Sequence, residues 1–300
     1  MPVHALLHLT CDTGEAMSTV TPNRAHTLFD LTGRVAIVTG GAGLLGYHHG
    51  AILAAAGANV VLLDLAVANP AMRAEQLQLA HGPECLGLSA DITSEKSLQE
   101  ARDVIMAKFG RIDILINNAA NNPKVEDTGG ATSQAWSRLE NFPLQVWNDD
   151  IAVGLTGAFL CSRVFGMEMV KRNSGVILNV ASDLGVIAPD QRLYRKDGVP
   201  DHEQPVKPVT YSVVKTALIG LTRYLSTYWT AHNIRCNAIS PGGVFTTQPD
   251  DFTAKLHSLI PMARMAHKDE YQGAILFLCS DASSYMTGQN LIVDGGRTVL

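Results

Sequence analysis

The sequence predicts one α/β domain, doubly wound, with a mostly or fully parallel central sheet of about seven strands. Two observations carry this. Short apolar runs alternate with helical patterns through nearly the whole chain, and the first run ends in a glycine-rich turn that opens a helix. A third is compositional: the 300 residues are 46% hydrophobic, with mean hydropathy +0.10, enough to bury a large core.

In chain order, Arg34-Val-Ala-Ile-Val-Thr39 reads as the first strand, followed by Gly40-Gly-Ala-Gly-Leu-Leu-Gly46 and a helix over Tyr47–Ala56. Asn59-Val-Val-Leu-Leu-Asp64 is the second strand, and Cys85–Ala90 the third. Ser94 is placed to cap a helix running to Phe109. Ile112–Asn117 is the fourth strand, Leu144–Lys171 a long helix and Ser174–Ala181 the fifth strand. Helices over Thr210–His232 and Lys268–Ser280 alternate with strands over Ile234–Ile239 and Leu291–Val293. Residues 1–30 read as a disordered leader: Thr10–Asn23 is rich in Thr, Ser, Gly, Asp and Pro, and Met17 is an alternative start.

Composition excludes several classes. A net charge of −5 and a pI near 6.0 leave no footprint for nucleic acid or an anionic membrane. The apolar runs look too short to span a membrane. Five cysteines (Cys11, Cys85, Cys161, Cys236, Cys279) are scattered and odd in number, which suits a reducing compartment and a cytoplasmic protein. Ten histidines form no metal-binding motif, so no metal is expected. His48 and His49, behind the glycine turn, are read as packing or capping residues.

The chemistry-bearing stretches fall at strand ends. A glycine turn between strand and helix lets the backbone approach a pyrophosphate, which then sits at a helix N-terminus. Asp64 ends the second strand 24 residues beyond Gly40, where a carboxylate can accept both hydroxyls of an adenosine ribose. Its alternative is a capping residue. A 2′-phosphate about 4 Å from that carboxylate would be repelled by up to roughly 4 kcal/mol at an effective dielectric near 20. No arginine or lysine in the turn or directly after Asp64 offsets this, so NAD is favoured over NADP. Tyr211 and Lys215 lie four apart at the start of a helix, hence on one face. An ammonium beside a phenol favours the phenolate, bringing tyrosine toward acid–base work near neutral pH. Taken alone, the pair is far more often a surface tyrosine stacked on a lysine.

From about Leu31 to Thr298 the chain resembles the short-chain dehydrogenase/reductase family in its single-domain, Rossmann-type form. Eight pieces in family order carry the likeness: Thr39-Gly-Gly-Ala-Gly-Leu-Leu-Gly46, Asp64, Asp91-Ile92, Asn117-Asn-Ala-Ala120, Ser182, Tyr211-x-x-x-Lys215, Asn237-Ala-Ile-Ser-Pro-Gly242 and Val293-Asp-Gly-Gly296. The resemblance implies a catalytic domain over residues 31–300 that interconverts a secondary alcohol and a ketone by hydride transfer. Tyr211 would be the acid/base, Lys215 its support and a holder of the cofactor ribose, and Ser182 the partner of the reacting oxygen. Cofactor contacts are implied for Gly40, Gly43, Leu44, Leu45, Gly46, Asp64, Asp91, Ile92 and Asn118, and for Asn117 and Ala119 either with the cofactor or with its supporting strand. Pro241, Gly242, Val244 and Thr246 would line the nicotinamide carboxamide. The tail after Ala274, with the helices from Leu144 and Thr210, implies a homodimer or homotetramer.

Three departures stand out. The G-x-x-G-x-x-G spacing resembles the extended branch, which acts on nucleotide sugars, and makes an epimerase or dehydratase the first alternative; the chain lacks that branch's extra C-terminal domain. Gly154 stands where the family commonly has an asparagine that helps hold a water in the relay from the lysine, which admits a non-catalytic dinucleotide sensor as the second alternative. Finally, Ser182 and Tyr211 are 29 residues apart, more than twice the family's usual spacing. The insert Pro189–Pro205 and the long loop Asn121–Asn141 follow strand C-terminal ends, over the expected site mouth. Arg192, Arg195 and His202 in the insert are candidate substrate contacts and suit a small polar, sugar- or polyol-like compound; a solvated lid or oligomer contact is the alternative.

Overall fold

Short, largely apolar runs pair side by side, fully buried through the middle of the sheet and partly exposed at its two edges, as a parallel sheet covered on both faces requires. The computed structural model describes residues 24–121 and 134–300. Its strands are β1 (Val35–Thr39), β2 (Asn59–Asp64), β3 (Cys85–Ser89), β4 (Ile114–Asn117), β5 (Gly175–Val180), β6 (Ile234–Pro241) and β7 (Asn290–Val293). They form one sheet in the order β3-β2-β1-β4-β5-β6-β7, with every pairing parallel.

The helices are α1 (Arg24–Phe29), α2 (Leu44–Ala55), α3 (Pro70–His81), α4 (Glu95–Phe109), α5 (Leu144–Ile151), α6 (Gly157–Arg172), α7 (Val209–Tyr228), α8 (Asp250–His257) and α9 (Gln272–Cys279). Side chains along β1 divide the core between two layers. Ala36 and Val38 pack with Leu53 of α2, Leu77 of α3 and Ile275 of α9. Val35 and Ile37 face Ile105 of α4, Phe165 of α6 and Leu225 of α7. Strand order reverses between β1 and β4, and there the strands' C-terminal ends open the crevice in which ligands bind in open α/β sheets.

Several expectations shift. The leader reading over residues 1–23 lies outside the described residues, while Arg24–Phe29 is helical. Residues 122–133 of the long loop are likewise outside them. Helices α3 and α8 emerge where no helix was read; α3 begins at Pro70, with the Asn69 side chain accepting from Met72 N. Ser94 caps α4 as expected, accepting from Ser97 N at 3.3 Å. The run Leu144–Arg172 is continuous, joined by a π-helical turn over Ala152–Thr156, and by length and composition it could cross a membrane, contrary to the sequence reading. More than half of its apolar window is buried inside the protein, as befits a core helix.

Candidate active site

The glycine turn sits over the C-terminal end of β1. Gly40 takes the left-handed conformation (φ +61°), and its carbonyl accepts from Gly43 N and Asn118 Nδ2, both at 3.2 Å. A methyl built on Gly46 would stand 2.2 Å from that carbonyl oxygen, so only hydrogen fits there. Asp64 closes the turn from β2: Oδ2 accepts from Ala42 N at 3.0 Å and Oδ1 from Leu65 N at 2.8 Å. Leu44, half exposed, begins the helix, and Leu45 packs on the core. This is a side-chain-free cradle at a helix start with a carboxylate beside it, and it fits a dinucleotide.

The neighbouring positions divide between cleft and core. Thr39 Oγ1 accepts from Asn118 N and Ala119 N, tying β4 to the glycine turn. Asn117 is buried and donates to Asn179 Oδ1 and Ser162 Oγ inside the core, so it supports the strand. Asp91 is exposed and bonded to Thr93, while Ile92 is buried against Gly157 of α6. At the end of β6, Gly242 O accepts from Tyr271 OH, Val244 bridges Ala266, and Thr246 N donates to Gln248. Pro241 and Gly242 thus stand beside the crevice at the strand's end.

Ser182, just past β5, and Tyr211 and Lys215, on the first turns of α7, meet at its mouth. The Ser182 hydroxyl donates to Asp183 Oδ1 at 2.8 Å and accepts from Leu184 N at 3.2 Å. Lys215 is buried and donates to Val180 O at 2.8 Å, with Nζ 5.8 Å from the centre of the Tyr211 ring. A second cation, Lys207 Nζ, lies 3.9 Å over the same ring. Burial lowers Lys215 to about 8, with the charge of Lys207 adding to the effect. Lys207 is also lowered to about 8 by burial, against the pull of Asp183 and Asp150.

One expectation is corrected here. The Tyr211 phenol is raised above its ordinary value, because burial outweighs the Ser182 hydroxyl that favours the phenolate, and Asp183 raises it further. Lys215 donates to the backbone carbonyl of Val180 rather than to the phenol.

Beside Tyr211 and Lys215 a narrow cavity is also lined by Asn121, Asp150, Gly154 and Thr210. For the centre of a water-sized sphere its volume is about 10 Å³, near the room one water needs. Gly154 lies in the π-helical turn, and a methyl on it would meet Val214 Cγ1 at 2.5 Å, so an asparagine there would require Val214 to shift. One turn earlier, the buried Asp150 carboxylate accepts from Thr210 Oγ1 and supplies polarity to the same cavity.

The insert does not bring its candidate contact residues to this cavity. Arg192 pairs with Asp190, Arg195 with Asp201 and His202 with Glu203, with side-chain exposures of 82%, 56% and 79%. Leu193, in contrast, is buried with Leu256 of α8, and Tyr194 packs at a tilt against Phe252, ring centres 5.6 Å apart. His49 is buried and held neutral, its value driven down to about 3. Among the described residues no cluster could hold a metal ion. Sequence reasoning passed over Asp150, Asp183, Lys207 and Arg297. Asp183 and Arg297 adjoin motifs that it did single out, and Lys207 precedes Tyr211 by four residues.

Fold and site together define an α/β oxidoreductase of the dinucleotide-binding type. The short chain dehydrogenase family model matches residues 34–194, and that of Enoyl-(Acyl carrier protein) reductase matches residues 200–298. A D-threitol dehydrogenase of Mycolicibacterium smegmatis is 32% identical over 276 residues, covering 90% of this chain and 95% of that protein. An NAD-dependent glycerol dehydrogenase of Listeria innocua is also 32% identical, over 90% of this chain and 96% of its own. The crystal structure of a gluconate 5-dehydrogenase from Burkholderia cenocepacia in complex with NADP and tartrate superposes with TM-score 0.79 at 27% identity, over 92% of this chain and 99% of that one. The chain belongs to the short-chain dehydrogenase/reductase family, and it is an oxidoreductase acting on CH–OH groups.

Proposed function

We propose that this enzyme is an NAD-dependent dehydrogenase of a small polar, sugar- or polyol-like secondary alcohol, with Tyr211 as acid/base. The observation that carries the reading is the convergence of Ser182, Tyr211 and Lys215 at the strand ends, beside a glycine cradle closed by Asp64. A bound nicotinamide dinucleotide supplies the hydride acceptor. Gly40, Gly43 and Gly46 make room for its pyrophosphate, and Asp64 for an unphosphorylated ribose. Tyr211 removes the carbinol proton as the C–H bond breaks, and Ser182 holds the reacting oxygen in line with the phenol. Lys215, charged below about pH 8, stabilises the phenolate once it turns from Val180 O.

The substrate class rests on relatives named as dehydrogenases of D-threitol and glycerol. A solved relative is titled NAD⁺-bound xylitol dehydrogenase, at 27% identity and TM-score 0.76 over 88% of this chain and 99% of its own. The preference for NAD rests on Asp64. Self-association as a dimer or tetramer is part of the same proposal: Phe159 and Met167 on α6 and Tyr224 and Tyr228 on α7 are exposed. A cytoplasmic location follows the reduced cysteines, Cys85, Cys161, Cys236 and Cys279 all being free thiols.

The test is reduction of NAD⁺ and NADP⁺ over a panel of threitol, xylitol, glycerol, gluconate and simple hydroxy acids, with Tyr211→Phe alongside. NAD⁺-linked turnover of a polyol, lost in the variant, is the expected result. Turnover surviving in Tyr211→Phe would remove the mechanism, and preference for NADP⁺ would overturn the role of Asp64.

A further inference from the structure

The cavity beside Tyr211 and Lys215 contains a buried carboxylate that hydride transfer itself does not use. Asp150 lies in the last turn of α5, just before the π-helical turn over Ala152–Thr156. Gly154 lines the same cavity and projects no side chain into it, so the room is left to the carboxylate one turn earlier. Asp150 is 6% exposed, and its Oδ2 accepts from Thr210 Oγ1 on the first turn of α7. Thr210 is fully buried and directly precedes Tyr211. Burying a carboxylate is costly unless it is paired or hydrogen-bonded. One hydroxyl uses only part of its capacity, since a carboxylate can accept about four hydrogen bonds.

The cavity has the properties of a water site. Its room is that of about one water, and its walls carry the Asp150 carboxylate, the Thr210 hydroxyl, the Lys215 ammonium and the Asn121 amide. Lys215 Nζ gives one hydrogen to Val180 O at 2.8 Å, and an ammonium has two more to give. Ala120 and Asn121 are exposed and form the rim on the solvent side. Asn121 Nδ2 donates to Asp149 O at 3.4 Å, next to Asp150.

We propose that Asp150 is a positioning residue of this dehydrogenase: with Thr210 it holds a water against Lys215, and its carboxylate is the next proton acceptor after the lysine. The inference rests on Tyr211 and Lys215 being the acid–base pair. Tyr211 takes the carbinol proton as the hydride leaves carbon. The Lys215 ammonium passes one proton through the water to Asp150, and the proton on Tyr211 makes good the loss at Lys215. Asp150 releases its proton to solvent past Asn121. Each alcohol oxidised thus yields one hydride and one proton, and every side chain returns to its starting state. An amide in place of Asp150 could hold the water but could not take up the proton. The charged and titratable groups around Lys215 are Tyr211 and Lys207 on its own segment and Asp150 from α5. Asp183, from the loop after β5, acts on Tyr211 and Lys207.

Asp150→Asn in the full chain tests this, because it keeps an oxygen for Thr210 Oγ1 and so keeps the tie between α5 and α7. With D-threitol or xylitol, kcat should fall by at least about tenfold while KM for NAD⁺ stays at the parent value. The solvent deuterium isotope effect on kcat should rise, since proton release becomes slow. In Asp150→Ala, formate should restore turnover in proportion to its concentration, and chloride at equal ionic strength should not. Parental kcat and isotope effect in Asp150→Asn would overturn the proposal. So would a loss of turnover with an unchanged isotope effect and no rescue by formate, which is the pattern of a mere tether. A second readout needs no turnover: the Lys215 midpoint, followed by NMR of ¹³C-labelled lysine and assigned with Lys215→Met. Asp150→Asn should lower that midpoint by about one pH unit, because an opposite charge across the cavity is removed. An unmoved midpoint would overturn the proposal whatever the kinetics. A midpoint that moves in a protein without activity on any alcohol would count against the dehydrogenase reading and leave the coupling of Asp150 to Lys215 standing.

Discussion

Gly46→Ala provides the sharpest test of how the cofactor cradle is built. The added methyl carbon would lie 2.2 Å from Gly40 O and 2.9 Å from Asn118 Nδ2. Relief requires the Gly40 carbonyl to retreat by roughly 1 Å, since well-packed carbon and oxygen atoms stay above about 3 Å. That carbonyl is held by Gly43 N and Asn118 Nδ2, and its residue is already in the left-handed region. Overpacking of this kind costs about 1–3 kcal/mol, and each hydrogen bond lost costs about 1 kcal/mol more. Alanine's better helix propensity returns up to about 1 kcal/mol, leaving a net destabilisation of about 2–3 kcal/mol. Thermal unfolding should fall by at least roughly 4 °C, and NADH affinity, read by fluorescence titration, by at least about tenfold. Gly43→Ala is the internal control. Gly43 has φ −73° and its added methyl would meet Gly40 O at 3.2 Å, so its cost should stay below about 1 kcal/mol. Unchanged melting and affinity in Gly46→Ala, or a larger loss in Gly43→Ala, would refute this account of the turn.

Three further outcomes are expected. Lys215→Met should abolish turnover yet stabilise the fold at pH 7 by about 1–3 kcal/mol. The reason is that burial lowers the lysine from 10.5 to about 8, so the unfolded chain binds more protons between those values and wild-type stability rises with pH across that window. Urea unfolding at pH 7 and at pH 10 should show the advantage of the variant shrinking, and an advantage independent of pH would contradict it. Asp64→Ser should reduce discrimination between NADH and NADPH by at least about tenfold, out of a repulsion of up to roughly 4 kcal/mol. Equal ratios of dissociation constants in parent and variant would count against Asp64 as the selector. Gly154→Asn should lose about 1–3 kcal/mol through its contact with Val214, and Val214→Ala should recover part of that in the double variant, as followed by thermal melting.

Local pattern determined a great deal of this protein. Branched and aliphatic runs too apolar for one exposed face require a buried parallel sheet, and Gly40, Gly43 and Gly46 between strand and helix require a close backbone turn. The positions of Asp64, Ser182, Tyr211 and Lys215 relative to those elements were legible for the same reason: each lies at a strand end or on a first helical turn, where spacing alone implies direction. Helix α3 was missed because its start depends on Asn69 in a left-handed conformation, and the π-helical turn at Ala152–Thr156 because no local signal separates it from α-helix.

Tertiary structure alone decided the electrical state of the site. Burial and Asp183 raise the Tyr211 phenol, and Lys215 donates to Val180 O rather than to it. Lys207 reaches the Tyr211 ring from the residues just before α7, but Arg297 reaches Asp183 only because separate elements stack at one end of the sheet. Asn117, read from sequence as near the cofactor, is turned by strand alternation into a core network with Asn179 and Ser162. Periodicity and spacing act over a few residues, whereas desolvation and charge pairing depend on every group packed within a few ångströms. Those neighbours exist only once the sheet has closed its layers.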